Sequence, residues 1–393
     1  MVSRRKLRLP GARHSQSTGW RAPFKTRAVS LLLWGMLLFT VILFQGQNVG
    51  ATEVEKKEQP PRGAPAARLL PEEFSSEHWE FTARFDSGHL LFVHFLITNI
   101  GWGDRTAVVV GHVVTPDGQT RQFGNARRKN NWRLSRDRLR FEIGSHILDL
   151  HDPQYHLQVN KKNTRLDLRF QADTSAVWSQ ALTQSGYALD LLAVAAPVDG
   201  TLWIKGMEKP LAVHGVLAAT HSWMRETGPS VMARRVEFFT LQKEFPLYGI
   251  DLTTPTGGHS RWLIIKQPGK NPIEADMFEL VFEQERNPKE DSGYGVPDGI
   301  RFHSGQLNGQ FNLERIILRH DPFANLPQPL RFLASSVLNL HPLQVWAFSS
   351  FTFDTPLTQT SVSLSSELTT GLTAPHNTGV TAITFLTPFP KAR

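Results

Sequence analysis

Along much of the chain apolar and polar residues alternate one for one, the period of a half-buried β-strand. "HWEFTARF" (His78–Phe85) puts Trp79, Phe81, Ala83 and Phe85 on one face, and "SGH" then turns the chain into "LLFVHFLITNI" (Leu90–Ile100). "TAVVVGHVV" (Thr106–Val114) is β-branched and stops at "TPDGQT", where Pro presets one φ and Gly supplies a positive one. Further strands fit Arg138–Ile143, Tyr155–Val159 and Thr164–Gln171, then "GTLWIKG" and "LAVHGVLAATHSW". A second series follows: "VEFFTLQ", "YGIDLTT", "SRWLIIKQ", "DMFELVFE" and "NGQFNLERIIL". Short strands separated by turn signals every eight to twelve residues or so predict antiparallel barrels or sandwiches. One helix is expected, over Gln328–His341, where Leu330, Leu333, Val337 and Leu340 recur at spacings of three and four between Pro329 and Pro342. The fold class expected is all-β, with two consecutive antiparallel barrels and that short helix in the second.

The 393 residues suffice for two such domains, expected at 74–235 and 236–393, the last thirty or so residues, rich in Thr, Ser and Pro, being read as a closing strand plus a loose tail. Residues 52–73 mix charge with Pro, Gly and Ala without a period and read as a linker. Residues 1–51 are different. Eight basic residues precede or flank "AVSLLLWGMLLFTVILF" (Ala28–Phe44), an uncharged apolar run of 17 residues, and "QGQNVGA" supplies Val49 and Ala51 at the −3 and −1 positions of a small-residue cleavage site. This is a signal peptide or an N-terminal membrane anchor. Either way, the excess of Lys and Arg before the apolar run places the remainder outside the cytoplasm. A Sec-type leader fits better than a twin-arginine one, because some twenty residues part "SRRKLR" from the apolar run.

That segment also explains the net charge of +8. Of the 43 Lys and Arg, eight lie in residues 1–51, leaving 35 to balance 35 Asp and Glu. A formally neutral body removes the main reason to expect nucleic-acid binding. The basic stretch "NARRKNNWR" (Asn125–Arg133) is most simply a solvated loop, with a phosphate-headgroup contact as the alternative. The expected partners are an apolar small molecule, lipid or isoprenoid, and a membrane through Ala28–Phe44. Oligomeric state is left open.

The absence of cysteine excludes disulfides, thiolate metal sites and a Cys nucleophile. Fifteen histidines invite a metal, and six of them (His89, His94, His112, His146, His151, His156) crowd the first domain. None has the spacing of a zinc signature or pairs with another at i, i+2 on a strand, so no metal site is assigned. No G-x-S-x-G elbow occurs, and P-loop and dinucleotide patterns are missing, so no cofactor is expected. Aromatic side chains on or beside strands carry more information. Trp79, Phe81, Trp102, His221 and Trp223 are the candidate lining of an apolar cavity, the competing role for each being to fill a barrel.

An E-x-W opening strand at Glu77–Phe81, a meander, the glycine-led strand Gly215–Trp223 and a second barrel resemble the lipocalin-like superfamily of carotenoid 1,2-hydratase (hydroxyneurosporene synthase), AttH and the survival factor family. The resemblance covers about Phe74 to Asp354 and implies two lipocalin-like barrels that handle isoprenoid or lipid-like molecules. In its hydratase-like members the glycine-led strand looks like G-x-(A/G)-Y-x-D-H, in which the acid protonates an alkene and the tyrosine helps line the site. Here Gly215 and His221 match, but Ala218 stands at the tyrosine position and Thr220 at that of the acid. A threonine hydroxyl is too weak an acid for that step. Three functions are therefore expected in competition: an exported carrier of an apolar ligand without catalysis, a hydratase-like lyase with a relocated acid, and a periplasmic scaffold. Candidates for the relocated acid are Asp190, Glu226 and Glu237; for Asp190 an outward-facing position on its strand is the simpler expectation.

Overall fold

In a computed structural model, the residues described are 67–99, 105–135, 140–151, 154–171, 178–182, 186–243, 245–266, 272–276, 278–283, 294–304, 307–321, 342–354 and 378–386. The expected helix at Gln328–His341 and the candidate Trp102 lie outside them, as do the leader and most of the linker.

Two curled antiparallel sheets account for nearly everything described. The first comprises β1 (Ser76–Phe85), β2 (Leu90–Thr98), β3 (Thr106–Val114), β4 (Thr120–Arg127), β5 (Arg133–Ser135), β6 (Arg140–Ile143), β7 (His146–Asp149), β8 (Gln154–Asn160), β9 (Thr164–Gln171), β10 (Trp178–Leu182), β11 (Tyr187–Ile204) and β12 (Leu211–Met224). Its order is β4-β3-β2-β1-β12-β11-β9-β8-β7-β6-β5, with β10 paired to β11. After a single helical turn, α1 (Gly228–Val231), the second sheet contains β13 (Arg234–Thr240), β14 (Leu247–Thr253), β15 (His259–Ile265), β16 (Ile273–Ala275), β17 (Glu279–Glu283), β18 (Gly299–Ser304), β19 (Leu307–His320), β20 (Leu343–Asp354) and β21 (Thr378–Phe385). It runs β16-β15-β14-β13-β21-β20-β19-β18-β17. The two sheets are the two consecutive antiparallel β-domains that the strand pattern predicts, in the lipocalin-like form that the resemblance implies.

Each sheet wraps its own core. On β1 the residues Trp79, Phe81, Ala83 and Phe85 point inward with Phe95, Phe141, Tyr155 and Phe170, and this cluster fills the first barrel. Val236, Phe238, Phe302, Phe311 and Phe385 do the same for the second. A third cluster lies between the sheets: Tyr187, Leu189, Leu191 and Val194 of β11 meet Phe239, Tyr248, Ile250, Leu252 and Trp262. At roughly 1.5–3 kcal/mol for each large side chain buried, this layer is a substantial stabilising contact between the halves.

The layer explains the apolar run Leu191–Ala196 of β11, because a stretch of strand covered on both faces has no polar side to show. Two register shifts, at Leu191/Ala193 and Ala193/Ala196, bend the strand so that Leu192, Ala193, Ala196 and Val198 turn into the first barrel. Gly215 of β12 passes so close to β1 that a Cβ there would lie 2.1 Å from the carbonyl oxygen of Arg84, so the glycine that leads the strand is a packing requirement.

Candidate functional site

β1 and β12 pair side by side, Glu77 opposite Trp223, Trp79 opposite His221 and Glu80 opposite Thr220. Because successive side chains alternate across a strand, this pair presents one set of polar residues to the inside of the first barrel and another to the second sheet.

The inner set centres on His221, which is fully buried. Its ring stacks on Trp79 at 4.8 Å and 2° and tilts against Trp223 at 5.2 Å. His221 Nε2 is 2.8 Å from Glu77 Oε1, and Nδ1 is 3.8 Å from Asp190 Oδ2, an ionic contact longer than a hydrogen bond. Burial works against protonation of His221, but the acid groups of Asp190 and Glu77 outweigh it and raise the imidazole pKa. The segment before β1 seals this end of the barrel: the backbone N–H groups of Arg68 and Leu69 donate to Glu77 at 2.7 and 3.0 Å, and the Arg68 guanidinium reaches Asp190 at 3.4 Å while covering Trp223 at 3.9 Å. Asp190 is 2% exposed and faces His221, which corrects the expectation of an outward-facing side chain. Continuous burial of β11 left it no outward face. Glu226, the other weak acid candidate, lies exposed beyond β12 and makes no contact with this cluster.

The outer set joins the two sheets. Arg235 of β13 grips Glu80 of β1 with both terminal nitrogens, at 2.8 and 2.7 Å, and its Nε lies 3.2 Å from Glu237 Oε2. Tyr248 donates to Glu237 at 2.6 Å, and Tyr187 stands 3.5 Å from Arg235. The two acids diverge. Burial pushes Glu80 up, but the charge and hydrogen bonds of Arg235 prevail and bring its pKa to about 2. Burial also raises Glu237, and with the charge of Glu80 beside it the pull of Arg235 falls short, leaving its pKa raised. Beside them His78 Nδ1 and His94 Nε2 are 2.8 Å apart with stacked rings. Burial, then the neighbouring His94, takes His78 to about 3; burial lowers His94 as well. One ionised acid, a second acid whose pKa is raised and two neutral imidazoles thus share one junction. Opposed shifts of this kind are how a site obtains an acid and a base at one pH.

From this junction a small cleft of about 70 Å³ runs between β1–β3 and β19–β20. Its walls include Phe92, Val93, Val110 and Trp346, with Glu80, His94, His112 and His320 as polar groups. Phe92 and Trp346 face each other at 5.3 Å across the sheets, as do His112 and His320 at 5.2 Å. Burial, then His320, takes His112 to about 4, so it is neutral at pH 7. The lining therefore combines apolar surface with uncharged hydrogen-bonding groups. Among the described residues no group of three or more His, Asp or Glu side chains is placed to hold a metal ion.

The structure separates the cavity candidates of the sequence. Trp79 and His221 are together in the packed interior of the first barrel, Phe81 is 1% exposed in the same core, and Trp223 is half-buried under Arg68. The junction was missed, apart from Glu237. The available signal was charge inside apolar strands, "RRVEFF" above all, where Arg235 and Glu237 sit on the face opposite Val236 and Phe238.

Fold and site together define a two-domain lipocalin-like protein. Its fold is similar to that of a protein assigned to AttH from Nitrosomonas europaea, which superposes with a TM-score of 0.56 at 13% identity, covering 85% of this chain and 98% of that one. CghA with Sch210972 gives a TM-score of 0.54 at 9% identity, over 82% and 94% of the two chains. Kievitone hydratase from Nectria haematococca gives 0.49 at 11% identity, over 82% and 93%. No family model and no curated protein matches the chain.

Proposed function

We propose that the protein binds an apolar small molecule, of lipid or isoprenoid type, in the cleft between its two sheets, and that it does so outside the cytoplasm. The observation that carries this is the contrast in filling. Large aromatic side chains fill the first barrel, whereas between the sheets Phe92, Val110 and Trp346 border a small cleft with a few polar groups at its base. Ligand sites commonly combine apolar walls with a small number of fixed polar groups in this way. The leader of residues 1–51 supports the location. Native mass spectrometry of the full chain, after incubation with lipid and isoprenoid extracts, tests the proposal. A stoichiometric adduct that disappears in Trp346→Ala is the expected result; an adduct unchanged in that variant, or none at all, sinks it.

A second function is favoured by one specific observation. Thr220, at the position of the hydratase acid, lies directly opposite Glu80, and one arginine links Glu80 to Glu237, the buried carboxyl with a raised pKa. In this version Glu237, set behind Glu80 rather than on the cleft wall, is the relocated acid: an alkene that reaches it takes its proton at one carbon, a water oxygen bonds to the other carbon, and that water's surplus proton returns to the carboxylate. Glu237→Gln is then expected to keep binding but lose conversion of a bound isoprenoid to its hydrated product. Hydration that persists in that variant removes Glu237 from the role.

A further inference from the structure

Arg127 and Lys161 of the first barrel come together where two turns meet, away from the cleft. Asn125 Nδ2 reaches the carbonyl of Ile143 at 3.4 Å, and a Cβ at Gly144 would sit 3.2 Å from that same amide and 3.6 Å from a terminal nitrogen of Arg127. The end of β4 is thereby laid over the β6–β7 turn. The β8–β9 turn closes on the same place, with Ser145 Oγ donating to Asn160 O at 3.0 Å and Asn163 Nδ2 to Gln122 O at 3.3 Å. Lys161 heads that turn.

Beneath these cations lies His146, 0% exposed. Its Nδ1 accepts the backbone N–H of Asn160 at 3.1 Å, so in the neutral ring Nε2 carries the proton. That Nε2 has no hydrogen-bond partner and is buried. A buried donor without an acceptor is costly, because it has lost its hydrogen bond to water and gained none in exchange. The cations above it are unrelieved as well. Among the described residues neither Arg127 nor Lys161 has a carboxylate partner, and burial, then Arg127, lowers the pKa of Lys161. His146 is lowered to about 4 by burial, then by Lys161 and Arg127. One anion placed among these groups would supply the missing acceptor and neutralise both cations.

We infer that the β6–β7 turn forms a binding site for a phosphate-type oxyanion, held by Arg127 and Lys161 with the His146 Nε2–H beneath them. Arg presents a flat pair of donors and Lys a point charge, a combination that suits a phosphate group. Exposed Arg128 and Lys162 beside the site add long-range attraction. The same chemistry belongs to a free phosphate and to a phospholipid headgroup.

Inorganic phosphate titrated into the full-length protein in detergent, followed by ³¹P NMR line width, tests the site. Saturable broadening is expected, weakened at least tenfold in the double variant Arg127→Gln/Lys161→Gln. Those side chains are exposed or half-exposed, so the variant should keep its unfolding midpoint in phosphate-free buffer. His146→Phe, which removes the orphan donor, should weaken binding by a similar factor without altering net charge. Broadening that does not saturate, or that survives in both variants, overturns the inference. Competition then names the source in either supporting case. Displacement of phosphate by phosphatidylglycerol vesicles but not by phosphatidylcholine vesicles identifies a headgroup site, and displacement by neither identifies free phosphate.

Discussion

The two faces of β1 and β12 offer an internal comparison: same strands, same register, opposite treatment of histidine. On the inner face His221 lies between Glu77 and Asp190, which favour its charged form, and aromatic rings and Arg68 seal it in. On the outer face His78 and His94 lie beside Arg235 and each other, and are kept neutral. In the inner cluster Glu77 is satisfied by His221 and by the Arg68–Leu69 backbone, while Asp190 Oδ1 and His221 Nδ1 are buried without a hydrogen-bond partner. The outer cluster holds a charge pair plus a carboxyl, and it borders an open cleft. Burial alone therefore does not mark a site. The informative feature is buried charge that adjoins space a ligand can occupy.

The largest expected effect is on the outer face. Arg235→Ala leaves Glu80 and Glu237 facing each other without a cation, and breaking a buried pair in this way costs about 3–5 kcal/mol. Urea unfolding of the full chain measures it. A loss below that of the inner-face variants would show that the junction is better hydrated than its geometry implies. Next comes the inner pair. In a double-mutant cycle with Glu77→Gln and His221→Gln, a coupling of about 1–3 kcal/mol is expected, because Glu77 keeps the two backbone donors of Arg68 and Leu69 when the histidine is lost. A coupling near zero would make Glu77 a partner of the backbone alone.

Acid and base should then tell the faces apart. His78, His94 and His112 have lowered pKa values when folded, so between about pH 6.5 and 4 the unfolded chain binds more protons and stability falls as pH falls. Of the order of 1–2 kcal/mol by pH 5 is expected from His78. His221 acts in the opposite sense. Its raised pKa contributes stability that is complete below its unfolded value near 6.5 and is lost as pH rises through the folded value. A pair of unfolding series from pH 5 to 9 checks this: His78→Phe/His94→Phe should flatten the acid limb, and His221→Gln the alkaline one. An acid limb unchanged by the first variant would place the destabilising protons elsewhere.

How much of this was legible in the sequence follows from what alternation encodes. The inward positions Trp79, Phe81, Ala83 and Phe85 are visible in one strand, because an apolar face is a local pattern. The opposite face, His78, Glu80 and Thr82, looks like solvent-facing residues, and only the arrival of β13 and β14 makes part of it interior. Polar residues buried against a second sheet leave no periodic trace. The His78–His94 contact depends on the β1–β2 register, in which Glu80 pairs with His94, and the two histidines are sixteen residues apart. Asp190 was misplaced for a related reason. A strand buried on both faces has no polar period from which to assign a side. Glu77 was more accessible, since the E-x-W motif placed it beside Trp79, although its partner His221 lies 144 residues away.

The smallest expected effect concerns the acids that the sequence alone ranked together. Asp190 and Glu226 flank His221 in opposite senses: one meets it across the β11–β12 pair, the other follows it in the chain. Glu226 is exposed, lies outside every strand and contacts neither the inner cluster nor the junction. Glu226→Gln should therefore leave the unfolding midpoint, both pH limbs and ligand adducts unchanged within error. Asp190→Asn should lower the midpoint measurably, because it weakens the Arg68 contact that closes the barrel and removes one of the two acids that favour protonated His221. Equal effects from the two substitutions would mean that nearness in sequence to His221 matters as much as nearness in space. The division into a sealed inner face and an outer one that borders the cleft would then lose its basis.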